Sequence, residues 1–77
     1  MTAENFDNVV QLLCDRRPFG LFTIELNTGE MIEIDHPKAI SYRNGVATFI
    51  APGGRPMWFD HDSVNKIVPG RVETSKA

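Results

Sequence analysis

The hydrophobic period of this chain changes once, and that change limits what it can fold into. Phe6, Val9, Val10 and Leu13 fall at i, i+3, i+4 and i+7, one face of a 3.6-residue helix. From Leu21 the period becomes two: Phe22, Ile24 and Leu26 share one side of an extended segment, with Thr23 and Glu25 on the other. Pro18 stands between the two patterns, and the residue before a proline is pushed out of the α region. The spacing therefore predicts a helix over about 3–15 and strands after it. Glu4 and Asp7 in the first turns, with Arg16 and Arg17 just past the last, complement the helix dipole.

The strands are short and closely punctuated. "LFTIEL" and "EMIEIDH" flank Asn27-Thr28-Gly29, a hairpin loop in which Gly29 can take positive φ. Pro37 cannot donate to a ladder, so His36-Pro37 marks a corner. "KAISYR" and "VATFIA" flank Asn44-Gly45, the strongest short-range hairpin signal. "PGGRP" reads as a loop, "MWFD" as a strand, "HDSVN" as one helical turn capped by Asp62 or Ser63, and "KIV" as a last short strand. The predicted fold is mainly β with one N-terminal helix: about five short antiparallel strands in a small, partly open SH3-like or Sm-like barrel. The helix is expected over one open end. Residues 1–70 form the single domain and 71–77 a flexible C-terminal tail.

A chain of 77 residues is one small domain. Cys14 is the lone cysteine, so no intrachain disulfide forms, which fits a reducing, cytoplasmic setting. The start lacks a basic segment and a long apolar run, arguing against a signal peptide, and nothing approaches the ~20 apolar residues of a membrane span. A formal net charge of −2 with scattered signs disfavours a domain that grips nucleic acid mainly by its phosphates.

"RRPFGLFTIELNTGEMIEIDHPKAIS" resembles the opening of a family of small uncharacterised bacterial proteins. The residues that carry the likeness are Arg17, Pro18, Phe19, Phe22, Ile24, Leu26, Gly29, His36 and Pro37; Leu21 departs from it, where a proline is common. The resemblance implies a helix plus small β-barrel and no activity. A weaker resemblance is to Sm-like RNA chaperones of the Hfq type, through Phe59-Asp60-His61 and Val68-Pro69. Asp60 stands where that pattern has a basic residue, and a carboxylate there would repel RNA phosphate.

"WFDHDSV" holds the candidate chemistry. His36 and His61, each beside carboxylates (Asp35, then Asp60 and Asp62), could form a weak metal or other polar site if they converged. Zinc needs three or four ligands, drawn mostly from Cys and His, and no HExxH, CxxC or EF-hand spacing is present. Ser63, His61 and Asp60 or Asp62 make a hydrolytic set on paper only, because sequence neighbours rarely meet in proton-transfer geometry. The plainer expectation is a strand end followed by a capped turn. No catalytic residue, metal ligand, cofactor or small-molecule substrate is indicated.

Trp58 should face outward if Met57 and Phe59 face inward. With Tyr42, Met31, Arg43 and Arg55 it has the composition of a protein interface. The alternative is that the helix covers these aromatics. The expected function is thus a non-enzymatic interaction module that meets a protein partner or self-associates as a dimer or ring. An RNA-binding Sm-like protein that stacks bases on Tyr42 or Trp58 is the second reading, and metal binding through His36 and His61 the third.

Overall fold

In the computed structural model, which describes residues 1–51 and 53–70, helix α1 spans Ala3–Asp15, where the periodicity places it. Thr2 caps it: its hydroxyl oxygen accepts from the Asn5 N–H at 3.1 Å. At the other end the Arg17 guanidinium donates to the carbonyls of Cys14 and Arg16, at 3.2 and 2.9 Å, satisfying acceptors the helix leaves open. Phe6, Val10 and Leu13 are buried and Val9 packs beside them. The expected tail, residues 71–77, lies outside the described residues, as does Pro52 of the expected loop.

Six strands follow, where about five were expected: β1 Phe22–Leu26, β2 Met31–Ile34, β3 Ile40–Arg43, β4 Val46–Ala51, β5 Arg55–Asp60 and β6 Val64–Pro69. They form two three-stranded antiparallel sheets, ordered β2-β1-β6 and β3-β4-β5, that do not close into a barrel. β5 begins at Arg55, ahead of the "MWFD" segment. Pro56 is tolerated there because β5 is an edge strand, where the missing N–H breaks no inner ladder. β6 also starts early, at Val64, directly after a one-turn helix at His61–Ser63.

The core lies between the inner faces. Phe22, Ile24, Leu26, Ile32, Ile34 and Val64 come from the first sheet, and Ile40, Ala47, Phe49 and Phe59 from the second. α1 completes it, with the Phe6 ring edge-on to Phe59 at 6.0 Å between centroids. Because Phe59 is on the inner face of β5, the helix also sits on that inner side. β1 is buried even at Thr23, whose hydroxyl donates to the Gly70 carbonyl at 2.9 Å.

Gly45 ties three elements together. Asn44 and Gly45 both have positive φ, +53° and +82°, as a type I′ hairpin requires. The Gly45 N–H donates to Asp7 Oδ1 on α1 at 2.9 Å. Its carbonyl accepts from the His61 N–H at 2.7 Å.

Asn27 makes a second long-range tie. Its backbone N–H donates to the Ser63 carbonyl at 2.8 Å, and its side-chain amide donates to the Asp62 carbonyl at 2.9 Å. Asn27→Ala removes only the side-chain bond. The expected cost is about 1 kcal/mol, read as a lowered urea midpoint with an unchanged slope.

Candidate interaction surface

Cross-strand register sorts the proposed surface residues by face, because directly opposed residues in an antiparallel pair point to the same side. In the second sheet Tyr42 opposes Ala47, which opposes Phe59. That row points inward. Ser41 opposes Thr48, which opposes Trp58, and this row points outward. A parallel outward row runs Arg43, Val46, Asp60, and Ile50 opposes Pro56 at the other end. The outer face therefore carries Trp58 midway along its β5 edge, beside Thr48 and with Val46, Ile50 and Pro56 near it. Trp58 is 69% exposed, Val46 53% and Ile50 50%. The helix, lying on the inner side, does not cover them.

This splits the cluster expected from the sequence. Trp58 and Arg43 share the outer face. Tyr42 does not: it is half-buried at the inner edge beside α1, since its strand parity matches that of buried Ile40. Arg55 has the inner parity of Met57 and Phe59, at the exposed start of β5. Met31 belongs to the other sheet. It lines a groove of about 470 Å³ between β2 and the β4–β5 hairpin, with Ile32, Phe49, Ile50 and Met57 as its apolar wall. Its polar lining is Glu30, Glu33 and Asp35, three carboxylates. No sequence pattern signals this groove, because it forms between strands that are not hairpin partners.

The two histidines have separate surroundings. His36 sits in the β2–β3 turn, where its Nδ1 accepts from the Lys38 N–H at 3.1 Å. The His61 Nδ1 lies 2.7 Å from the Met1 carbonyl, an acceptor only, so the proton is on Nδ1; Asp62 Oδ1 is 3.3 Å away. Among the described residues no three or more His, Cys, Asp or Glu side chains gather as a metal site. Ser63 donates its hydroxyl to Asp60 Oδ1 at 3.2 Å, not to His61, so the paper triad is not assembled. The capping expectation also changes. Asp60 is the cap residue of the one-turn helix and accepts no cap N–H, while Asp62 contributes its carbonyl to Asn27.

Burial, and then the neighbouring Asp15 carboxylate, push the Cys14 thiol above its ordinary pKa range. Burial also raises the Tyr42 phenol, followed by the charges of Cys14, Asp15 and Asp7. Both groups hold their protons more tightly in the folded chain than in the unfolded one. The resulting stabilisation is complete below their ordinary values, about 9 for a thiol and about 10 for a phenol, and is lost as pH rises through the folded-state values. The urea midpoint is expected to fall as pH rises above about 9, and the Cys14→Ser, Tyr42→Phe pair to flatten that fall.

No family model, no curated protein and no solved structure matches this chain. Its own geometry defines the class: a small helix-backed β domain whose outer β3-β4-β5 face exposes apolar and charged side chains together.

Proposed function

We propose that this chain is a cytoplasmic, non-enzymatic protein-interaction module whose contact surface is the outer face of β3-β4-β5. One observation carries the reading: Trp58, the largest exposed apolar side chain, stands on the β5 side of that face beside exposed Val46 and Ile50 of β4. An exposed tryptophan beside smaller apolar groups is the usual composition of an energetic centre of a protein interface. The opposite face of the same sheet is used in the core, so the outer face has no structural duty within the domain. The unpaired thiol of Cys14 supports the cytoplasmic assignment. Among the described residues, no helix is long and apolar enough to cross a membrane. The RNA reading draws less support, because Tyr42 and Trp58 lie on opposite faces and Asp60 borders the tryptophan.

A photo-crosslinking phenylalanine analogue at position 58 tests the reading in cells. A discrete covalent adduct is expected there, and none from the same label at Leu12, which is 69% exposed on α1. No adduct at 58, or equal adducts at both sites, would overturn it.

A further inference from the structure

We infer that the occupant of this face is a second copy of the chain, stacked face to face about a two-fold axis running along β4. The inference rests on the interaction-module reading above and names its partner.

In a face-to-face dimer the two-fold axis lies in the plane of contact, and both copies present the same patch. An axis along β4 exchanges the flanks of that strand within each cross-strand row. Each residue of β3 then meets the residue of the partner's β5 from its own row, and β4 residues meet their own copies.

Two rows are complementary under this operation. In the first, Arg43 and Asp60 flank Val46. The exchange sets Arg43 over the partner's Asp60 and Asp60 over the partner's Arg43, so two ion pairs bracket a Val46–Val46 contact. Among the described residues Arg43 makes no ion pair, and Asp60 accepts only the Ser63 hydroxyl. In the second row Ser41 and Trp58 flank Thr48. The exchange lays the largest side chain of the face over the smallest, twice. An axis across the strands would instead bring Arg43 and Asp60 against the Ile50–Pro56 row and leave both charges on apolar groups.

Stacked sheets cross at about 30°, and the long arginine side chain spans the offset this makes at the flanks. The area sets the strength. Strands of four, six and six residues at about 3.4 Å per residue, each about 4.8 Å wide, give roughly 260 Å² of face. A standard stable interface buries about 800 Å² per partner. The dimer is therefore weak and exchanging, with dissociation at tens to hundreds of micromolar, on the order expected for contacts below the standard size.

Sedimentation equilibrium of the full chain between about 10 μM and about 1 mM tests this, with the emission of the single tryptophan as a second readout. The mass should rise from 8.6 kDa towards twice that value, with a blue shift as the Trp58 ring is covered. Arg43→Asp and Asp60→Arg should each weaken association by about tenfold or more. An equimolar mixture of the two variants should recover it. In the mixed dimer the aspartate introduced in one variant faces the arginine introduced in the other, and the native Asp60 of the first faces the native Arg43 of the second. Thermal melts check that both variants fold, and Arg43→Asp breaks no intramolecular ion pair among the described residues. A monomer at 1 mM, or a mixture no stronger than either variant alone, overturns the inference. The position-58 adduct separates the failures. A foreign-mass adduct beside a monomeric chain ends the dimer and keeps the interaction module, and a monomer without any adduct ends both.

Discussion

Gly45→Ala should lower the melting temperature by about 10 °C or more, because two penalties meet at that position. The backbone has φ of +82°, where a side chain costs about 1–2 kcal/mol. A Cβ there would also lie 2.6 Å from His61 Cδ2, 2.7 Å from Ala3 Cβ and 3.0 Å from Ala3 Cα. The last is backbone at the start of α1, so relief requires the helix and hairpin to separate, at about 1–3 kcal/mol more. Separation would also stretch the bonds from Gly45 to Asp7 and from His61 to Gly45. Gly29→Ala is the control: its φ is +93° but a Cβ meets nothing within 4 Å, so only the conformational cost applies. Calorimetry of the two variants should show Gly45→Ala as the more damaging by at least about twofold, the ratio of the summed penalties to the conformational one alone. Equal effects would mean the junction is not tight.

Phe6→Ala should remove a large part of the folding free energy. Phe6 is 0% exposed and is the side chain that meets Phe59 across the interface between helix and sheet. Emptying such a site costs about 3–5 kcal/mol through lost transfer energy and the cavity left behind. At roughly 0.05–0.15 kcal/mol per residue, a domain this size holds only about 4–12 kcal/mol in total. Leu12→Ala on the same helix should change stability by less than about 0.5 kcal/mol, since that side chain faces solvent. Urea titrations of both variants measure the contrast, and a small loss for Phe6→Ala would mean the helix is not anchored through it.

What is legible in the sequence follows from periodicity. The helix, the Asn44-Gly45 hairpin and the inward set Phe22, Ile24, Leu26, Ile32 and Ile34 each rest on spacing or on one turn chemistry. The outward direction of Trp58 also follows from alternation. Tyr42 is legible too, since it shares the parity of Ile40, but its aromatic character draws it into the outward group. Pro56 reads as a loop residue, since a proline enters a strand only at an edge and edges are a property of the assembled sheet. The ties from Asp7 to Gly45 and from Asn27 to Asp62 span 38 and 35 residues and leave no local mark. The groove beside Met31 and the Arg43–Val46–Asp60 row belong to the same class. They are products of register, visible only once strands are paired.

The strand pairing also bears on how the chain reaches its native state. β1 pairs with β2 across a tight turn, and β3, β4 and β5 follow one another as a meander. β6 is different: it returns to β1, setting Val64 against Leu26 with the whole second sheet in between. Enclosing that stretch instead of a hairpin turn is roughly three to four doublings of loop length, about 2 kcal/mol of extra closure entropy. The local hairpins can form without this cost, whereas the first sheet is finished only when β6 arrives. Until then β1, the most buried strand, presents an open edge along Phe22–Leu26, and that interval is when the nascent domain is most exposed to pairing with the wrong strand.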